Sequence, residues 1–265
     1  LKKKLQNIIY KISPVFAIAA ILAVWQLCSS VGFVPKFMLP SPADVVAAFF
    51  SDFSLLMTHA VTTLTEAFIG LSLGILLGFV VAVVMDRFQI AYKSIYPVLV
   101  ITQTVPTVAI APLLVLWLGY GILPKVTLII ITSFFPITIG LLDGFRSADA
   151  DAVNLLKAMG ASRMQRFFHI KLPSSMSHFF AGLRISVSYS VIGAVVAEWL
   201  GGFNGLGVYM TRVRKSYSYD KMFAVIFFIS LISLLLMFLV TLMQKALMPW
   251  DHRDTKKSDR TAAKS

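Results

Sequence analysis

Polar and apolar residues in this chain do not alternate; they come in long blocks. Six apolar blocks, at about 14–31, 60–85, 96–118, 122–142, 178–200 and 222–248, each meet or approach the ~20 residues a helix needs to cross ~30 Å of hydrocarbon. The runs are continuous rather than of period two, which speaks against barrel strands. The pattern therefore predicts an all-α polytopic membrane protein with about six transmembrane helices. In the outer connection 32–59, the run Leu39-Pro40-Ser41-Pro42-Ala43-Asp44-Val45 reads as a proline-rich turn into a short helix capped by Ser41 and Asp44. The polar stretch 145–173 is different. Arg146, Lys157, Arg163, Arg166 and Lys171 make it basic, and Leu172-Pro173 ends it. A helical pattern runs from near Ala148 to near Met159. Gly160 follows it, where a left-handed backbone is expected, and Ser162 is placed to cap a second helix. A loop of this kind between two spans is placed to grip something outside the bilayer.

The apolar blocks carry irregularities of their own. Gly70, Gly74 and Gly78 recur every fourth residue, which lets a neighbouring helix approach closely. Glu66 lies near the outer end of the same block and is expected to be solvated. The third block is broken by Pro97, Pro106 and Pro112, with Thr102, Gln103 and Thr104 before the middle break. The fourth is interrupted at Ser133-Phe134-Phe135-Pro136 and followed by Thr138. The fifth holds Ser186, Ser188, Tyr189 and Ser190, with Arg184 at its inner and Glu198 at its outer end. Polar groups and proline-freed carbonyls inside a bilayer belong in the bundle interior or along a water path. Thr102, Gln103, Pro106, Ser133, Pro136, Thr138, Ser186, Ser190 and Glu198 are thus the candidates for a translocation pathway. Glycines at 201–207 predict a tight turn or a re-entrant edge. The basic cluster after them is a surface for a partner or an anionic solute, or a plain solvated loop.

Composition supports the membrane class. Of 265 residues, 58% are hydrophobic and 14% charged, and the mean hydropathy is +0.82. The net charge of +12 would suggest nucleic acid in a soluble protein, but here it follows the positive-inside bias. With the N-terminus in the cytoplasm, the inward segments hold 18 of the 24 Lys and Arg, against Lys36, Lys125, Arg212, Arg214, Lys215 and Lys221 outside. Both termini are therefore expected on the cytoplasmic side of the membrane. Cys28 stands alone, which excludes a disulfide within the chain. The Lys2-Lys3-Lys4 start imitates a signal peptide, but five further spans favour an uncleaved first helix. The chain opens on Leu1 rather than methionine, which leaves a natural start upstream of it open.

No GxxxxGK[ST], HExxH, GxSxG or paired-cysteine motif occurs, and His59, His169, His178 and His252 are scattered. Neither a catalytic nor a metal site is expected. An integral-membrane enzyme would need clustered His, Asp or Glu. A secondary transporter, the alternative reading, would need a midplane ion or proton site, and the intramembrane carboxylates are few.

The run Asp151-Ala152-Val153-Asn154-Leu155-Leu156-Lys157-Ala158-Met159-Gly160, ending in Ile170-Lys171-Leu172-Pro173, resembles the EAA signature of binding-protein-dependent ABC importer permeases. Two positions depart from it: Asp151 stands for the commoner Glu, and Val153 for the second Ala. Asp keeps the negative charge at a helix start, where the dipole favours it. The segments LPSPADV, FFPI, GLRIS and AEWLGGFNGLG are similar to the sulfonate, taurine and nitrate branch, which includes importers of thiamine-precursor pyrimidines. EWLGGFNGLGVYMTRVRKSY is most similar to the pyrimidine-precursor members.

The resemblance implies a type I, MetI-like permease over 1–265, with a five-helix core at 58–248 and a cytoplasmic coupling loop at 145–173. It implies a pair of permease subunits, expected as a homodimer in the lipid bilayer, with an ABC ATPase subunit and an extracytoplasmic solute-binding protein as partners. ATP and Mg would sit on the ATPase, with no cofactor in this chain and no catalysis by it. Asp151, Ala152, Leu155, Leu156, Met159, Gly160, Ile170, Leu172 and Pro173 would couple to that ATPase. Of these, Ala152, Leu155, Leu156 and Met159 recur at helical spacing and could form the docked face.

Overall fold

A computed structural model describes residues 2–31, 35 and 38–249, with side chains from Ser13 onward. The expected cytoplasmic tail and Lys36 lie outside the described residues. Among them the chain is helical: α1 (Lys2–Ser30), α2 (Pro42–Ser51), α3 (Phe53–Arg87), α4 (Gln89–Thr102), α5 (Thr107–Leu118), α6 (Ile122–Arg146), α7 (Ala150–Ala158), α8 (Arg163–Arg166), a π turn (Phe167–Lys171), α9 (Leu172–Gly201), α10 (Leu206–Lys215) and α11 (Tyr219–Leu247). Five stretches are long and apolar enough to span a membrane: Ser13–Ser30 within α1, α3, α6, Arg163–Gly201 ending in α9, and α11. The α4–α5 pair makes a sixth if counted as one broken span.

Close backbone approach, rather than hydrophobic burial, builds the bundle, because lipid tails are as apolar as leucine. The central helix is α6, held between α3 and α9. A Cβ on Gly70 would lie 2.5 Å from Ile129, one on Gly78 would lie 3.1 Å from Ile137, and one on Gly74 would collide with the Ser133 hydroxyl. These contacts, like the Glu66–Lys125 pair, share an offset of 59 residues. A constant offset at four-residue steps means that α3 and α6 run parallel in one register. Two parallel spans need a return crossing between them, and α4–α5 supplies it. On its other face α6 meets α9 antiparallel: a Cβ on Gly144 would lie 2.5 Å from Ser175 Cα, and one on Gly140 2.7 Å from the His178 carbonyl.

Three expectations are corrected. The third block is broken once, not at each of its three prolines: α4 and α5 meet at 99°. Only Pro106 lies at that break; Pro97 and Pro112 sit inside their helices. Nor does Pro136 interrupt α6, which runs on from Ile122 to Arg146. Hydroxyls bind carbonyls around it: Thr138 donates to Phe134 O (2.8 Å) and Ser133 to Ile129 O (2.7 Å), while Ser186 of α9 donates to Ser133 O (2.6 Å). Finally, Leu172-Pro173 ends nothing. The Leu172 N–H reaches back to Phe167 O through the π turn, and Pro173 falls in the first turn of α9, where its missing N–H is tolerated.

Candidate functional site

Two regions gather the candidate residues, one at each end of the bundle, which the topology expected from charge makes the inner and the outer end. At the inner end, Asp149 caps α7 by accepting from the N–H groups of Asp151 (2.9 Å) and Ala152 (3.5 Å). The helix ends in a Schellman turn: Ala161 N–H reaches Leu156 O (2.9 Å) and Gly160 N–H reaches Lys157 O (3.1 Å), with Gly160 at φ 81°. Ser162 then opens α8 through a capping box with Gln165. The four side chains expected to form the docked face, on α7 and its C-cap Met159, divide into two rows. Ala152 and Leu156 are half-buried against the chain itself, while Leu155 and Met159 are 62% and 72% exposed. Asp151 and Pro173 are exposed, Ile170 is half-buried, and Leu172 packs beside the buried Phe145. Lys171 anchors the loop to the end of α3 through Asp86, at 2.7 Å.

At the outer end lies a buried polar network. Its centre is the N-terminus of α10, whose leading N–H groups have no partners within their own helix. Gly205 N–H donates to His59 Nδ1 (3.0 Å), Leu206 N–H to Thr63 Oγ1 (2.9 Å) and Gly207 N–H to Glu198 Oε2 (2.6 Å). The Thr63 hydroxyl in turn donates to Glu198 Oε1 at 2.7 Å. A carboxylate against a helix N-terminus is favoured by the helix dipole. Gly205 has φ 124°, and a Cβ there would collide with the Glu198 carboxyl, which accounts for the glycine-rich run. Of the two expectations for that run, the structure therefore gives a tight turn into a short helix.

One turn below, Lys125 pairs with Glu66 at 2.5 Å, both nearly fully buried. This corrects the expectation of a solvated Glu66, and it moves Lys125 from an outer loop into the bundle. Above the network, Asp52 accepts from Tyr209 Oη (2.7 Å) and Lys221 Nζ (2.8 Å), tying the α2–α3 junction to α10 and α11. Burial pushes the Asp52 carboxyl up, but the Lys221, Tyr209 and Ser51 hydrogen bonds outweigh it and hold it below the usual carboxylate range. Burial and the Asp52 charge push the Tyr209 phenol upward.

The candidate pathway residues separate by location. Ser133, Thr138, Ser186 and Ser190 are buried in the packing of α3, α6 and α9, and Pro136 is half-buried there, whereas Glu198 is buried in the network with Thr63 and the start of α10. Gln103 and Pro106 are exposed at the α4–α5 elbow, where the half-buried Thr102 bonds only its own helix at Leu99 O. His59, Thr63, Lys125, Asp52 and Tyr209 were not singled out from the sequence as site residues. The one available signal was Glu66 and Lys125, two opposite charges at the expected outer ends of the second and fourth apolar blocks.

The described chain is thus a set of apolar spans around a central helix, with a capped helix held outside them. It matches the crystal structure of an amino acid ABC transporter with histidines at a TM-score of 0.60, over 76% of this chain and 96% of that one. Identity there is 14%, so the likeness concerns the fold. The family model described as "binding-protein-dependent transport system inner membrane component" matches residues 74–250. The formylaminopyrimidine transport permease protein ThiX of Halalkalibacterium halodurans is 35% identical over 90% of this chain and 96% of its own length. The putative aliphatic sulfonates transport permease protein SsuC of Bacillus subtilis is 28% identical over 88% of this chain and 85% of its own. The chain belongs to the family of binding-protein-dependent transport system inner membrane components. It is a multi-pass permease component of an ABC importer of the bacterial inner membrane.

Proposed function

We propose that this chain carries a small polar solute, handed over by an extracytoplasmic binding protein, across the membrane while a separate ATPase subunit hydrolyses ATP. The observation that carries the reading is α7: a capped, glycine-terminated helix outside the spans that leaves Leu155 and Met159 uncovered. Exposed apolar side chains on a polar loop call for a protein partner, and Asp151 and Gly160 set the start and end of the face that meets it. Two copies of the chain form the translocating unit, with both termini and the 145–173 loop in the cytoplasm. The bent α4–α5 elbow, with Gln103 and Pro106 exposed, then faces the path between them, and Ser133, Thr138, Ser186 and Ser190 stiffen the wall behind it.

The solute is a thiamine-precursor pyrimidine, with an aliphatic sulfonate, taurine or nitrate as the other candidates. ThiX, a formylaminopyrimidine permease by name, is more similar than the sulfonate permease. A cavity of about 550 Å³ at the outer end supports the same choice, since Tyr120, Trp199 and Phe203 line it beside Glu198, Arg212 and Lys215. Aromatic faces with hydrogen-bonding and charged groups suit a flat heterocycle bearing amino groups. Neither the fold nor the comparisons favour a secondary transporter. The test is to purify the cognate binding protein, identify its ligand by mass spectrometry, and measure ATP hydrolysis by the reconstituted complex. Ligand-stimulated hydrolysis that depends on this chain supports the reading; uptake without ATPase or binding protein overturns it.

A further inference from the structure

A second cavity, of about 770 Å³, opens at the inner end of the bundle, between α3 and the loop formed by α7, α8 and the π turn. Its two halves differ in chemistry. Phe79 and Val83 of α3, with Met164, Phe167 and Phe168 opposite them, form an apolar wall. Arg87, Lys157, Arg163 and Arg166 form the rim. Asp86 is the one carboxylate lining the cavity, and Lys171 neutralises it through contacts of 2.7 and 2.8 Å. The four rim cations have no acidic partner among the described residues. Arg87 rests over the Phe88 ring at 5.1 Å, and Arg166 reaches only the Ser162 carbonyl, at 3.5 Å.

We infer that this cavity binds an anionic phospholipid, with its phosphate among the rim arginines and an acyl chain along the Phe79–Val83 wall. Charge alone would fit a free phosphate as well. The wall would not: Phe79 lies two helical turns, ~12 Å, toward the hydrocarbon from Arg87 on a spanning helix. An interfacial phosphate with a chain running inward has that shape. Basic pockets between spans at the cytoplasmic face take anionic head groups for the same electrostatic reason. Val153 and Lys157 bring the inner side of α7 to the cavity, so the lipid would support the helix from behind while Leu155 and Met159 stay free. The choice of the cytoplasmic leaflet rests on the orientation proposed above; the site itself does not.

The experiment uses the complete permease–ATPase complex, purified in detergent and offered phosphatidylglycerol or phosphatidylcholine, with retained lipid counted by native mass spectrometry. One phosphatidylglycerol is expected per permease chain and no retained phosphatidylcholine. Retention should fall about fivefold for each arginine neutralised in Arg87→Gln, Arg163→Gln and Arg166→Gln. The corresponding lysine variants should keep it, as should Arg214→Gln, exposed at the opposite end. Excess glycerol phosphate should not displace the lipid. Equal retention of both lipids, unchanged retention in the glutamine variants, or displacement by glycerol phosphate each overturns the inference. If Arg87→Gln or Arg166→Gln does not assemble, Arg163→Gln, on the exposed α8, must still show the fivefold loss. A lipid count does not read transport, so failure of the importer reading would appear separately, as absent ligand-stimulated hydrolysis.

Discussion

Substituting Gly160 probes the inner loop most directly, because the structure isolates a single cost. Gly160 holds φ 81° at the end of α7, and a Cβ added there meets nothing within 4 Å. Any penalty is therefore one of backbone conformation, not of packing. A left-handed residue costs an L-amino acid ~1–2 kcal/mol, and β-branching adds to that. Such a cost shifts a two-state equilibrium roughly 5–30-fold. The Schellman turn has only two bonds, from Gly160 to Lys157 and from Ala161 to Leu156, and these aim α7. Gly160→Val should release them, leave the chain in the membrane, and lower ATPase co-purification and ligand-stimulated hydrolysis by about that factor. Gly160→Asn should lie near wild type, because asparagine tolerates the left-handed region, and Gly160→Ala should fall between. The assay is co-purification from membranes followed by hydrolysis with saturating binding protein. Wild-type values in the valine variant, or equal losses in the valine and asparagine variants, would refute the reasoning.

Other expectations follow from the outer end and the topology. Lys125→Met strands the buried Glu66 carboxylate and should destabilise the chain by about 3–5 kcal/mol, whereas Lys125→Met with Glu66→Leu should recover most of it; thermal unfolding in detergent reads both. The Asp52 carboxyl is held below its unfolded value near 3.8, so its contribution is present above that pH and is lost as pH falls through the lower folded value. Wild type should therefore lose more stability than Asp52→Asn on acidification below about pH 4, and parallel curves would contradict this. A cysteine at Ser218, in a Cys28→Ser background, should react with an impermeant reagent in intact cells, and one at Ser258 only after permeabilisation; the reverse pattern inverts the topology. Gln103→Leu, exposed at the elbow, should impair uptake without loss of assembly, and normal uptake removes it from the path.

What the sequence determined by itself was local. Hydropathy located the spans because a helix in lipid satisfies its own backbone, so the signal needs no distant partner. The same holds for the caps. Ser41 with Asp44, Ser162 with Gln165, and Gly160 past the end of α7 each act within a turn of their own position, and each stands in the structure as its residues suggest. The glycines at 70, 74 and 78 announced a close neighbour but not which one. Tertiary structure decided that, and it decided the rest of the outer end. Thr63 and Glu198 lie 135 residues apart, and His59 and Gly205 146 apart, so no local pattern pairs them. The parallel register of α3 and α6 placed Lys125 on Glu66 and so turned two apparently solvated charges into a buried pair. Proline shows the division most clearly. Pro106 and Pro136 lack the same N–H, yet one sits at a 99° elbow and the other in an unbroken helix. Hydroxyls bond carbonyls of their own helix at both places. The difference is that α6 at Pro136 is packed between α3 and α9, with the Ser186 hydroxyl of α9 donating to Ser133 O, while the elbow at Pro106 stands exposed.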